Sequence, residues 1–102
     1  MLWPMSFKEA PASDHPALVA AGVQLVDVRE PEETAAASVP GTTFIPLGQL
    51  SERVGELDPS RPVALLCRSG GRSGKAADFL VSQGFTDVTN LVGGMVSLGL
   101  QD

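Results

Sequence analysis

The 102-residue chain holds one cysteine and one histidine, and that scarcity excludes much chemistry. A single cysteine cannot close an internal disulfide, and one cysteine with one histidine falls short of an ordinary zinc ligand set, so no metal is expected. Basic residues are also few: 7 Lys and Arg stand against 12 Asp and Glu, giving a formal charge of −5. Phosphate-backbone binding needs the opposite balance, so nucleic acid is not an expected partner. No apolar run approaches the roughly 18 residues of a membrane span, and no membrane association is expected. Met1 to Met5 lack a basic region followed by an apolar stretch, the pattern of a secretory leader. The expectation is a soluble cytoplasmic protein. Internal repeats, low-complexity tracts and long linkers are missing as well. With 43% hydrophobic and 19% charged residues, the chain has ordinary globular usage, and its length suits one domain.

What is present is an alternation of short apolar runs and short helical patterns, the rhythm of an α/β domain with a mostly parallel sheet. Ser13-Asp14 before Pro16 reads as a helix start, Ala17 to Ala21 as the helix, and Gly22 as its stop. Gln24 to Val28 reads as a buried strand. Pro31-Glu32-Glu33 opens a helix through Ala37, with its acids at the positive end of the dipole. After the Pro40-Gly41 turn, Thr43 to Ile45 reads as a short strand. Leu47, Leu50, Val54 and Leu57 fall on one helical face. Pro62 to Leu66 is the strongest strand candidate. A helix with Ala76, Ala77, Leu80 and Val81 on one face follows the next loop and ends at Gly84. Val88 to Val92 reads as a last strand, with a short helical tail behind it. Trp3 and Phe7 are expected to pack the N-terminal segment against the body, and His15 to sit at a helix start without chemistry.

The informative loop is Cys67-Arg68-Ser69-Gly70-Gly71-Arg72-Ser73. Arg61, Arg68, Arg72 and Lys75 surround the cysteine, with no acid between residues 61 and 75. A strand enters the loop and a helix leaves it, which places Cys67 at a strand's carboxyl end, where open α/β sheets bind ligands. Gly70 and Gly71 let successive N–H groups converge, and the helix adds its positive end. These features favour an anion at the sulfur position. They would pull the thiol below the free value of about 8.5 and make Cys67 a nucleophile near neutral pH. With His15 far away in sequence, the loop itself must activate the sulfur. Arg72, at the mouth of the helix, is expected to bear on the sulfur together with the helix dipole. Arg68 serves either as an anion contact or as a solvated charge, and Lys75 reads as a surface residue. Ser69 can be a plain loop residue, and Ser73 is equally a candidate N-cap and a substrate contact.

Three other motifs fail by counting. A cysteine-phosphatase loop needs its arginine one residue later, where Ser73 stands. The nucleotide loop GxxxxGK[ST] would need Gly and Ser or Thr where Ser69 and Ala76 stand, and GxGxxG does not occur.

The Cys67–Ser73 segment resembles the active-site loop of single-domain rhodaneses, sulfurtransferases that carry sulfane sulfur as a cysteine persulfide. Leu25-Val26-Asp27-Val28-Arg29-Glu30-Pro31-Glu32-Glu33, Val39-Pro40-Gly41 with Ile45-Pro46, Gln83-Gly84-Phe85 and Leu91-Val92-Gly93-Gly94 are similar to further segments of that family. The resemblance spans Leu25 to Met95. It implies a single domain over residues 1–102, with its core at about 5–100, and a central mostly parallel sheet flanked by helices on both faces. It also implies that the loop curls around the persulfide sulfur, with Asp27 and Arg29 near it. From the residues alone, Asp27 and Arg29 read narrowly as a structural pair bracing a turn. Two departures stand out. Ser38 replaces a histidine common in the family, and the tail Met95 to Leu100 lacks the usual tryptophan and longer helix. The short tail leaves room for an exposed apolar patch that could support self-association.

The function implied is transfer of sulfur from a small anionic donor to an acceptor (a thiol, cyanide or a sulfur-carrier protein). Cys67 is the catalytic residue, Arg68, Ser69, Gly70, Gly71, Arg72 and Ser73 bind the substrate, and no cofactor is needed. The alternative is a weakly catalytic or non-catalytic module that docks a partner and relays or senses sulfur. A monomer or weak homodimer is expected.

Overall fold

The structure is a computed structural model that describes residues 7–102; the expectations for Trp3 and for the N-terminal segment before Phe7 lie outside these residues. Five strands form one sheet: β1 (Lys8–Pro11), β2 (Gln24–Asp27), β3 (Thr42–Phe44), β4 (Val63–Leu66) and β5 (Val88–Val92). Their order is β1-β5-β4-β2-β3, and every pairing is parallel. The expected α/β architecture, with helices on both faces, is what the chain adopts.

The apolar runs explain the layering. Successive side chains of a strand point to opposite faces, and a strand covered on both sides reads as continuously apolar. In β4, Val63 and Leu65 face one core and Ala64 and Leu66 the other. Val26 and Leu25 divide the same way in β2. The first core is closed by α3 (Leu50–Arg53) and α4 (Gly71–Ser82), which contribute Leu50, Ala76, Ala77 and Leu80. The second is closed by α1 (His15–Ala20), through Leu18 and Val19, and by α5 (Gly94–Ser97), through Met95. The remaining helix, α2 (Pro31–Ala36), links β2 to β3.

Several boundaries differ from expectation. The helical face of Leu47, Leu50, Val54 and Leu57 is present, but only Leu50–Arg53 is α-helical, with 3₁₀ turns at Leu47–Gln49 and Val54–Glu56. Ser13 lies in a 3₁₀ turn ahead of α1, and Asp14 takes the N-cap without a side-chain bond. Strand β3 begins at Thr42 rather than Thr43. Strand β1 has no counterpart in the sequence reading. It is an edge strand with exposed Lys8 and Glu9, and it ends in Pro11, which edges tolerate. Phe7, just before it, is half-buried against the α4 side of the core.

Because all strands run in parallel, their carboxyl ends share one side of the sheet. The connections after β2, β4 and β5 meet there, around Cys67.

Candidate functional site

Cys67 directly follows β4 and is 1% exposed, recessed at the base of the loop. Gly70 takes φ +114°, a left-handed conformation that L side chains rarely adopt, and serves as the N-cap of α4. That bend turns the Gly70 N–H onto Sγ at 3.0 Å. The Ser73 hydroxyl lies 3.2 Å from Sγ. Burial pushes the thiol pKa up, but the Ser73 hydroxyl and the N–H groups of Ser73, Gly70 and Ser69 outweigh it, and the net shift is downward. The twelve-residue α4 adds its positive end at the same point.

The loop is held from behind by residues on β5 and α5. Asn90, buried on β5, accepts a hydrogen bond from Ser73 Oγ at 2.6 Å and donates to the Gly70 carbonyl at 3.2 Å. The Cys67 and Arg68 carbonyls accept the N–H groups of Met95 and Val96, both at 3.0 Å. This requires α5 to start flush against the loop. Gly94 stands at φ +50°, where a Cβ would collide with both carbonyls.

Ser73 is inside the first turn of α4 rather than its N-cap, because Gly70 already takes that role. Its fully buried side chain belongs to the sulfur's immediate surroundings. Arg68, Ser69 and Gly71 are exposed around the loop mouth, and Lys75 is exposed on α4.

Arg72 departs from expectation. Its guanidinium does not stand free to face the sulfur; it forms a two-point pair with Glu33 on α2, Nη1 to Oε1 at 2.6 Å and Nη2 to Oε2 at 2.8 Å. The pair holds the Glu33 carboxyl far below the usual carboxylate range and raises Arg72. What lowers the Cys67 thiol is hydrogen bonding by the loop and Ser73, with Arg72 not among the main causes.

Asp27 and Arg29 form a buried ion pair beneath α2, at 2.8 Å with both side chains 1% exposed. All five N–H donors of Arg29 are used. Nε and Nη2 go to the Asp27 carboxylate, Nη2 also to Ala37 O, and Nη1 to Glu33 O and Gln101 Oε1. So complete a set makes Arg29 a brace for the β2–α2 connection, and Gln101 carries it on to Glu33 Oε2 at 2.7 Å. Asp27 and Arg29 thus reach the site through Glu33 and Arg72, with no side-chain hydrogen bond of their own to the sulfur loop among the described residues.

Glu33, Asn90, Gln101 and Gly94 were the residues whose part the sequence reading missed. By sequence, Glu33 reads as an acid at the helix dipole, Asn90 as the interior of a strand, and Gly94 as part of a segment similar to the family's. A polar Asn within the apolar run Val88–Val92 was the signal that could have been used. The open groove of about 330 Å³ lined by Val54, Leu57, Pro59, Gln83 and Phe85 lies at the far end of α4, away from Cys67. Among the described residues, no helix is long and apolar enough to cross a membrane.

Comparison with known proteins adds findings of three kinds. The family described as Rhodanese-like domain matches residues 12–99. The chain is 34% identical over 88 residues to "Thiosulfate sulfurtransferase GlpE" of Pseudomonas syringae, covering 86% of this chain and 83% of that protein. It is 43% identical over 76 residues to the Bacillus subtilis protein YqhL, covering 74% of this chain and 60% of that one. The chain spans between 27% and 60% of the length of three curated relatives it matches at 39–43% identity. Among solved structures, a rhodanese-like domain protein from Staphylococcus aureus superposes with a TM-score of 0.80 at 28% identity, covering 88% of this chain and 89% of that one.

Proposed function

The chain belongs to the rhodanese-like family, and on that premise we propose that it is a sulfurtransferase in which Cys67 carries sulfane sulfur as a persulfide. The observation that carries this reading is the recessed Cys67 thiol at a strand's carboxyl end, lowered by converging N–H groups and the Ser73 hydroxyl. Relatives named sulfurtransferase and thiosulfate sulfurtransferase support it.

In the first step the Cys67 thiolate attacks the outer sulfur of a thiosulfate-like donor. A new S–S bond forms, the donor's S–S bond breaks, and sulfite leaves with the electron pair. The persulfide's terminal sulfur is an anion, and the Ser69, Gly70 and Ser73 N–H groups with the α4 dipole stabilise it as they do the thiolate. In the second step an acceptor nucleophile (cyanide in an assay, a thiol or sulfur-carrier protein in the cell) bonds to the terminal sulfur, and the thiolate returns. Arg68, Ser69 and Gly71 form the exposed rim that an incoming donor meets.

The test is intact mass after incubation with thiosulfate. A gain of one sulfur, removed by cyanide, is expected, and Cys67→Ser should abolish both the gain and thiosulfate:cyanide transfer while leaving the fold intact. Transfer by the Cys67→Ser protein would refute the reading, since the chain has no second cysteine. An unmodified mass with a reactive thiol would support instead a module that docks a partner.

A further inference from the structure

The Glu33–Arg72 pair is better built than a surface ion pair needs to be. Both carboxylate oxygens of Glu33 are doubly occupied. Oε1 accepts from Arg72 Nη1 at 2.6 Å and the Glu30 N–H at 2.9 Å, and Oε2 accepts from Arg72 Nη2 at 2.8 Å and Gln101 Nε2 at 2.7 Å. The Glu30 bond closes half of a capping box at the start of α2, so the carboxylate's position is set by its own helix. Gln101 in turn accepts from the fully committed Arg29 at 3.0 Å. The Glu33 side chain is 18% exposed and that of Arg72 32%, which leaves the pair only partly screened by water. Arg72 lies near enough to Cys67 for the thiolate to raise it, but Glu33 raises it more.

We infer that Glu33 is a specificity-determining residue of the donor site: by cancelling the Arg72 cation beside Cys67, it weakens the site's hold on the second charge of a dianionic donor such as thiosulfate, and so narrows the preference for it over a singly charged sulfane-sulfur donor. Together Asp27, Arg29, Glu33 and Arg72 sum to zero charge. The anion site is thereby left to neutral N–H groups, the α4 dipole and the exposed Arg68, which suit one negative charge better than two. Glu30, the other acid that Arg72 feels, adds to the same effect. The inference rests on the sulfur-transfer reading for its choice of ligand, while the charge cancellation can be read without any turnover.

The alternative role for Glu33 is to aim Arg72 at the donor, and the two roles give opposite signs. Glu33→Gln keeps the side chain's shape and leaves Arg72 uncompensated. Cancellation then predicts tighter binding of a dianion, whereas aiming predicts weaker binding. A unit charge on the first turn of α4, at an effective dielectric between bulk water and protein, is worth roughly three- to tenfold in anion affinity.

The experiment has a chemical arm and a kinetic arm. In the chemical arm Cys67 is alkylated with iodoacetate and with iodoacetamide, and the ratio of rates is taken. The thiolate fraction cancels in this ratio, so it reads the local potential alone. The ratio should rise roughly three- to tenfold in Glu33→Gln, fall in Arg72→Ala, and return to within about twofold of the parent in the double variant. In the kinetic arm, thiosulfate (two charges) is compared with methanethiosulfonate (one charge). Glu33→Gln should lower KM for thiosulfate and leave that for methanethiosulfonate nearly unmoved. A fall in the alkylation ratio and a rise in thiosulfate KM would overturn the inference. Should Glu33→Gln fail to fold, Arg68→Ala, which removes the exposed cation of the rim, decides by salt. Donor preference should change less than about twofold between low and high ionic strength, and a several-fold loss of thiosulfate preference would show an uncancelled cation. If neither donor loads the parent, the sulfur-transfer reading fails, and the alkylation ratio still answers the charge claim.

Discussion

Replacing Ser73 by alanine asks what lowers the Cys67 thiol. The Ser73 hydroxyl lies between two groups, 3.2 Å from Sγ and 2.6 Å from Asn90 Oδ1. The bond from Asn90 Nδ2 to the Gly70 carbonyl turns Oδ1 toward the serine. A hydroxyl has one proton to give. While Cys67 is protonated, the serine donates to Asn90 and the thiol can donate to the serine oxygen. Once Cys67 ionises, a bond given to the thiolate is a bond withdrawn from Asn90. A hydrogen bond to a charged group contributes about 1.5–3 kcal/mol and a neutral one about 0.5–1.5 kcal/mol, so the competition leaves on the order of 1 kcal/mol for the thiolate. Ser73→Ala should therefore cut the thiolate population roughly fivefold at any pH below the thiol's pKa. Iodoacetamide alkylation followed against pH would show this as a profile displaced to higher pH.

The same substitution leaves Asn90 Oδ1 buried without a donor, at a cost of about 1–3 kcal/mol in urea unfolding. The pH dependence has a definite sign. The folded-state pKa of Cys67 is depressed, so its ionisation adds stability that is complete above the unfolded thiol's pKa and is lost as pH falls through the folded one. Ser73→Ala narrows that window, and the rise in stability toward alkaline pH should flatten. An alkylation profile that does not move would refute the competition argument and leave the N–H groups as the whole cause.

Two further outcomes test the frame around the loop. Gly94→Ala should cost more than about 2 kcal/mol and abolish sulfur loading. Its Cβ would press on the Cys67 and Arg68 carbonyls at a left-handed φ, and thermal unfolding with intact-mass loading checks both effects. Arg29→Met leaves the buried Asp27 carboxylate without its partner and should destabilise by about 3–5 kcal/mol. Urea unfolding that matches the parent would show the pair to be dispensable.

Local rules made much of this molecule readable from its sequence. Val63 to Leu66 is apolar at every position because β4 is covered on both faces. The glycine-bearing loop between that run and the next helical pattern put Cys67 at a strand's carboxyl end and at the start of a helix, where the structure has it. Val88 to Val92 coincides with β5. What escaped depends on partners distant in sequence. Lys8 to Pro11 carries charge and a proline because an edge strand is half exposed, so its pattern does not announce a strand. The arginine count around Cys67 suggested a cationic site, but Glu33 lies 39 positions before Arg72, and no spacing rule connects them. Gln101 carries no local signal of its role and Asn90 only that of a polar residue inside a strand run, since their partners come from a loop and a helix elsewhere in the chain.

The docking of α5 against the loop carries a consequence for the order in which the site matures. The carbonyls of Cys67 and Arg68 are fixed by N–H groups 28 residues downstream, at Met95 and Val96. β4 and α4 can therefore present the cysteine while two carbonyls of its loop still lack their partners. Docking of residues 93–97 supplies those partners and closes the loop's backbone from behind. The last helix thereby ties completion of the site to completion of the fold: without α5 in place, Cys67 sits on a loop whose two carbonyls lack their partners.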